Sequence, residues 1–378
     1  MSQRAVLIAA FAGRALAQSA WRAGYIPLVV DCFGDQDTRL AAKHYRQLPD
    51  ALRHGFDAKP LFAALDELSA LAPSKPIGLV LGSGFEDRPK LVASLDARYR
   101  LLGSNAVTVR RCKDPQALFP LLAQLRIPYP ETSLTRPAEP AGWLSKRIGG
   151  TGGAHIRDCT PDMKHDARRY YQRRITGGQP HSVFAVASKS GIAMELSRQW
   201  SAPARGRAYR YGGAVMIEYQ DGDPEQRMVA TAATLLEVLD LVGLISFDFL
   251  VDGDLPYLLE INPRPGATLD IFDDRQGNLF RAHVEASLGN ELWQQRDLPT
   301  AQSRAAAILY ADRGALTAGD LEWPAWAADK PMPGTAIDAG GPIATVMAEC
   351  DTADAAEALV RERLSTLSHL VYTSSQTG

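Results

Sequence analysis

At 378 residues the chain is too long for one ordinary core and divides into two or three domains, and its 46% apolar content lets every part bury side chains. A net charge of −2 removes the electrostatic case for a nucleic-acid or anionic-membrane partner. Four scattered cysteines (Cys32, Cys112, Cys159, Cys350) without a C-x-x-C pair argue against a disulfide framework or structural zinc, and fit a reducing cytoplasm.

The first residues imitate a secretory signal: Arg4, an apolar run from Ala5 to Ala12, then Ala15-Leu16-Ala17 as a small-residue cleavage site. Arg14 stands between run and site, where a charge is unfavourable, and a second apolar run follows at Ile26–Val30. The spacing therefore predicts a βαβ unit, with a strand at Ala5–Ala10, a turn at Gly13 and a helix at Ala15–Ala23. A helix around Leu61–Leu71 and a strand at Ile77–Leu81 continue the alternation, which means a parallel sheet covered by helices. Ligands in such sheets bind beyond the carboxyl ends of the strands, here Phe11–Arg14, Asp31 and Gly82–Asp87. Asp31 sits like the ribose-binding acid of a dinucleotide fold, but the first turn lacks G-x-G-x-x-G, which discounts a nicotinamide or flavin site. No apolar run approaches the ~18 residues of a membrane span.

From Thr108 the texture changes. Lys113-Asp114-Pro115 opens a helix through Leu125, and Pro128 and Pro130 break it. A strand at Gly142–Arg147 runs into Gly149-Gly150-Thr151-Gly152-Gly153, with another strand expected at Ala154–Arg157. A helix at Met228–Asp240 leads to strands Ile245–Val251 and Pro256–Ile261. Beyond Leu298, strands Ala306–Tyr310 and Ile343–Ala348 precede a helix at Ala353–His369, and Trp323–Pro333 reads as a surface loop.

The strongest chemical signal is the stretch Ser246–Pro265. Pairing its two strands around Asp254 sets Asp248 opposite Glu260 and Leu250 opposite Leu258, with facing Cβ atoms about 4.5–5.5 Å apart. Period two adds Asn262 to the face of Glu260 and leaves Phe247, Phe249, Leu259 and Ile261 for the core. Two facing carboxylates repel unless a cation joins them, and hard oxygens suit Mg²⁺ carrying nucleotide phosphates. The plainer alternative is a solvated surface hairpin. Arg264, fixed between two prolines, is placed to fork onto phosphate oxygens, or else pairs with Asp270 or Asp273. Ser145-Lys146-Arg147 entering the glycine run offers backbone N–H groups and a point charge to phosphates. It is neither a Walker loop nor a dinucleotide loop, because no helix follows. In Arg168–Ile175 basic residues alternate with tyrosines, yet no second basic cluster supports a nucleic-acid footprint. Histidine spacing gives no imidazole metal site, and no G-x-S-x-G supports a serine hydrolase.

In order and spacing these segments resemble the ATP-grasp superfamily over nearly the whole chain. The likeness rests on Lys113 before a helix, Lys146 before the glycine loop, Tyr171-Gln172-Arg173-Arg174-Ile175, and Asp248 followed by Glu260-Ile261-Asn262-Pro263-Arg264. It implies α/β and α+β architecture: an open parallel α/β domain over residues 1–105, an ATP-grasp fold of two subdomains over 106–297, and a small C-terminal α/β segment over 298–378. By that likeness ATP is held with its phosphates on Lys113, Lys146 and the backbone of Gly149, Gly150, Gly152 and Gly153. Its adenine lies along Gln172, Arg173, Arg174 and Ile175. One or two Mg²⁺ sit on Asp248, Glu260 and Asn262, and Arg264 faces the transferred phosphoryl group. Two departures stand out: Arg173 or Arg174 replaces a frequent hinge glutamate, and Cys112 precedes the first lysine. The opening Gly13-Arg14-Ala15-Leu16-Ala17-Gln18-Ser19-Ala20 resembles a branch near one-carbon-carrier biosynthesis that includes ligases joining glutamate to tyramine-like amines in methanofuran-type cofactors. The likeness thus implies a cytoplasmic carboxylate–amine ligase acting through an acyl phosphate, with small-molecule acid and amine substrates and often a homodimer. Positional grounds add Arg14, Glu86 of the Gly82–Asp87 loop, and Arg210 as substrate determinants. A bicarbonate-phosphorylating enzyme and a silent ATP-binding sensor remain as alternatives.

Overall fold

A computed structural model describes residues 4–164, 166–188, 191–219, 223–290 and 302–374. Five strands, β1 (Ala5–Ala9), β2 (Ile26–Asp31), β3 (His44–Gln47), β4 (Leu79–Leu81) and β5 (Leu101–Leu102), form a parallel sheet ordered β3-β2-β1-β4-β5. The unbroken apolar run of β1 suits its central place, where all five residues are buried. The chain steps outward from β1 to β2 and β3, then returns to the other side of β1 for β4. The order therefore reverses between β1 and β4, which opens a crevice beyond their carboxyl ends.

A second, antiparallel sheet is ordered β6-β9-β7-β8, from β6 (Thr132–Ser133), β7 (Trp143–Arg147), β8 (Arg157–Asp158) and β9 (Arg169–Arg173). The strand expected at Ala154–Arg157 is a correction: the left-handed Gly152 and Gly153 turn the chain, and pairing begins only at Arg157.

The largest sheet has eight strands. It contains β10 (Gln179–Ser188), β11 (Gly191–Ser201), β12 (Tyr211–Ile217), β13 (Gly243–Asp252), β14 (Leu255–Asn262), β15 (Ser303–Tyr310), β17 (Ala327–Ala328) and β19 (Pro342–Cys350). Their order is β14-β13-β10-β11-β12-β15-β19-β17, while β16 (Leu316–Thr317) and β18 (Ala336–Ile337) pair separately. β10, β11 and β12 do not figure among the sequence expectations. Val183–Ala187 of β10 is apolar on both faces: Phe184 and Val186 join the core under the Arg14–Arg22 and Asn278–Leu288 helices. Val183, Ala185 and Ala187 join the core under the Pro115–Gln124 and Asp223–Val238 helices. A strand covered on both sides loses its alternation and reads as a bare apolar run.

The sheet runs without a break from β14 to β19, and the Ala353–Ser374 helix packs over β15 and β19. The expected division between 297 and 298 lies outside the described residues. The expected surface loop at Trp323–Pro333 is a second correction. Ala327 and Ala328 are buried and pair with β19, because Trp323 and Trp326 pack into the apolar cluster beneath that helix. Among the described residues no helix is long and apolar enough to cross a membrane.

Candidate active site

A cavity of about 680 Å³ opens between the three sheets. β7, β9 and the glycine loop supply one wall, and β13 and β14 another. The β1 and β4 crevice and β15 close it with Ala12, Ser83 and Tyr310.

β13 brings the chemistry out of the core. Leu244 is fully buried, and its same-face neighbours Ser246, Asp248 and Leu250 reach the cavity in turn. Asp248 faces Glu260, as the sequence predicts, but Leu250 faces Tyr257 and not Leu258. The turn is one residue tighter than a hairpin centred on Asp254, so Asp252 pairs with Leu255. A bulge beside Asp248 and Phe249 restores the acid pairing. The extra residue also shifts the inward phase: Leu258 and Ile261 enter the core, while Leu259, expected there, lines the cavity.

Lys113 ends the Ala106–Lys113 helix, and Asp114 caps the next helix by accepting from the Gln116 N–H at 3.0 Å. This fixes the Lys113 ammonium over the acids, where it donates to Glu260 Oε1 and, at 2.8 Å, to Asn262 Oδ1. Asn262 Nδ2 donates to Asp248 Oδ2 at 2.9 Å. Burial pushes Asp248 up to about 6, and the facing Glu260 charge adds to it. Burial also raises Glu260, but Lys113, His155 and Lys146 more than offset it, and its carboxyl ends below the usual range. Lys146 on β7 is buried and donates to Gln172 Oε1 at 2.6 Å, and burial lowers its ammonium to about 8. Burial also lowers His155, on the same wall, to about 4.

The glycine loop folds over this cluster. A Cβ on Gly149 would meet the Asp87 backbone at 2.6 Å, and one on Gly153 the Tyr209 carbonyl at 1.7 Å. Gly149, Gly150, Gly152 and Gly153 all line the cavity, as do Gln172, Arg173, Arg174 and Ile175. Arg264 reaches it too, with a partner other than Asp270 or Asp273: its Nε donates to Glu86 Oε1 at 2.6 Å. Glu86 Oε2 accepts the Gly84 and Phe85 N–H groups at 2.8 and 2.9 Å. Burial raises the Glu86 carboxyl, yet the Arg264 and Lys113 charges leave it below the usual range.

The three positional expectations fare differently. Glu86 lies behind Arg264 and not on the cavity, since its oxygens are committed there. Arg210 is likewise off the cavity wall, 2% exposed, paired with Asp312 at 2.7 Å and stacked 3.7 Å from the Tyr310 ring. Arg14 does line it, held by Asp270 and Asp329. The sequence reading overlooks Ser246, Gln199, Thr268, Asp270 and Asp329, all on the wall. Ser246 was findable by period two from Asp248, whereas nothing local marks Asp329.

Residues 112–268 match the family model described as an ATP-grasp domain. The chain carries an ATP-grasp domain. The segment from Cys112 to Thr268 spans Lys113, Lys146, both acids and Arg264. Among curated relatives, the carbamoyl phosphate synthase large chain of Myxococcus xanthus is 23% identical over 238 residues, covering 56% of this chain and 22% of that one. The C-terminal section of the corresponding chain from Methanopyrus kandleri is 25% identical over 255 residues, 60% of this chain and 47% of that one. The chain thus spans about half or less of these relatives. Solved structures share the fold over more of the chain. An L-amino acid ligase from Bacillus licheniformis has a TM-score of 0.69 at 13% identity, over 97% of this chain and 98% of that one. The biotin carboxylase domain of the Hydrogenobacter thermophilus 2-oxoglutarate carboxylase, in complex with MgADP and bicarbonate, reaches 0.71 at 12% identity, over 96% and 89%.

Proposed function

We propose that the protein is an ATP-dependent carboxylate–amine ligase working through an acyl phosphate. The observation that supports this best is the convergence of Asp248, Glu260 and Asn262 with Lys113, Lys146 and Arg264 on one cavity. The donor set fits Mg²⁺: two carboxylates and an amide oxygen are hard ligands, and the Lys113 ammonium already bridges Glu260 and Asn262 where a cation would sit. Asp248, Glu260 and Asn262 would leave the ion's other positions to phosphate and water. When bound, Mg²⁺ neutralises the β- and γ-phosphate oxygens.

The chain's own groups position the rest. Lys113, displaced from the acids, and Lys146 contact phosphate oxygens, the Gly149–Gly153 backbone covers them, and Gln172 to Ile175 line the adenine. Arg264, held by Glu86, faces the γ-phosphorus. A substrate carboxylate oxygen attacks that phosphorus, its O–P bond forms, the bond to the bridging oxygen breaks, and ADP leaves. A neutral amine nitrogen then attacks the acyl carbon; the C–N bond forms, the C–O bond to phosphate breaks, and the nitrogen's proton goes to the departing phosphate. Positioning and charge neutralisation dominate such transfers, which suits a site of cations and acids without a nucleophile. The docked glycine loop keeps water from the acyl phosphate. In this reading residues 1–105 and 298–378 frame the substrates and 106–297 the nucleotide.

Phosphate release over paired acids and amines, glutamate and arylethylamines included, identifies the substrates. Glu260→Gln should abolish ADP formation in a folded protein, and full turnover would overturn the metal assignment. The carbamoyl phosphate synthase and carboxylase likenesses favour a second reading, phosphorylation of bicarbonate. ADP release that needs bicarbonate and no amine supports it.

A further inference from the structure

Part of the cavity wall lies outside the residues assigned to nucleotide and metal. That part carries the apolar faces of Trp200, Tyr211, Ile308 and Tyr310 and then two acids, Asp270 and Asp329. Arg14 is buried between these acids and gives them four of its five N–H groups. Its Nε and Nη2 donate to Asp329 at 2.9 and 2.8 Å, and Nη1 and Nη2 donate to Asp270, the latter at 2.7 Å. Two carboxylates against one guanidinium leave a negative charge on the wall. Behind it, Asp31 and Asp35 are held by the Gly13, Gly34 and Thr38 N–H groups and the Thr38 hydroxyl, not by cations. Burial pushes Asp31 up to about 6 and Asp35 up to about 7, and the Asp329 charge adds to both. The cations beside it are taken elsewhere, Lys330 by Asp37 at 3.2 Å and Arg210 by Asp312 at 2.7 Å.

Thr268 supplies an independent sign of a ligand. It is 4% exposed, lines the same cavity two residues before Asp270, and its hydroxyl has no hydrogen-bond partner. It stands at the N-cap of the Leu269–Phe272 turn yet does not cap it, although threonine there normally does. An unmet buried hydroxyl costs about 1–3 kcal/mol, a cost that a bound donor removes.

We propose that Asp270, Asp329 and Thr268 receive the ammonium group of the amine substrate, with its apolar or aromatic body against Trp200, Tyr211 and Tyr310. The proposal rests on the ligase reading above. An ammonium carries three N–H donors, and Asp270, Asp329 and the Thr268 hydroxyl supply acceptors along the wall of one cavity. An anion would find four of the five Arg14 N–H groups already taken.

The test is calorimetric titration of the full chain, near pH 7 with MgADP present, with 2-phenylethylamine, its neutral isostere 2-phenylethanol and the anion 3-phenylpropanoate. The amine should bind at least about ten-fold more tightly than either. Asp329→Asn and Thr268→Val should each weaken it at least about five-fold, since a charge-assisted hydrogen bond is lost, with MgADP affinity unchanged. Should Asp329→Asn fail to fold for want of its Arg14 pair, the near-isosteric Thr268→Val decides. Equal binding of alcohol or anion, no amine binding by a protein that binds MgADP, or wild-type amine affinity in the folded variants overturns the subsite. Failure to bind MgADP sinks the ligase reading instead, and the same titration without nucleotide then judges the pocket alone.

Discussion

Glu86→Gln is the sharpest probe of how the N-terminal sheet serves the phosphoryl end of the site. The pair is nearly dry: the Glu86 and Arg264 side chains are 3% and 14% exposed, and Nε lies 2.6 Å from Oε1. Two opposite charges about 4 Å apart attract by about 4 kcal/mol at an effective dielectric of about 20. Desolvation takes much of that back, but removing one partner strands the other, and such truncations cost about 3–5 kcal/mol. Glutamine keeps the shape and an acceptor for the Gly84 and Phe85 N–H groups, so the expected loss is about 2–3 kcal/mol, that of a charge-assisted bond. Urea unfolding of wild type, Glu86→Gln, Arg264→Met and the double variant gives the coupling directly. A loosened Arg264 should also lower kcat more than it raises KM for ATP. Coupling below about 0.5 kcal/mol, the level of independent sites, would refute the pairing as an organising contact.

Two further outcomes follow from the site. Asp248 keeps its proton to about pH 6 where an ordinary aspartate loses it near 3.8, so the metal-free protein loses stability across that interval and carries the full penalty above it. Asp248→Asn should therefore stabilise the free protein above pH 6 by up to about 3 kcal/mol, while MgADP binding by wild type at pH 6 should release a proton, seen as a buffer-dependent heat in calorimetry. Gly153→Ala combines a φ of 72° with a Cβ 1.7 Å from the Tyr209 carbonyl, whereas Gly152→Ala has the left-handed φ but open space. The first should lift the loop and weaken MgATP by more than the roughly 1 kcal/mol of backbone strain expected of the second; equal affinities would show that the loop does not need its docked position.

The acid pair was legible because period two and a turn suffice to set Asp248 opposite Glu260. The bulge that turns Leu259 outward was not, since one extra residue leaves no mark in composition. β10 escaped because burial on both faces erases alternation, and β17 because two tryptophans and prolines imitate a loop. The family likeness singled out Lys113, but only the fold sets its ammonium on Glu260 and Asn262. Asp329 lies 315 residues from Arg14, and no local pattern announces a contact across that distance.

The apolar clusters also say which part can swing. Helices of the parallel sheet share one core with β10, β13 and the Asn278–Leu288 helix, and a Cβ on Gly277 would strike the Ser19 carbonyl at 2.1 Å. The β6-β9-β7-β8 sheet has its own small cluster, Trp143, Cys159 and Tyr171 beside Met163. In the ligase reading, entry and exit of a nucleotide fall to that sheet, which touches the rest through Tyr170 of β9, 5.8 Å from the Phe119 ring, and joins β10 through Gly177 and Gly178.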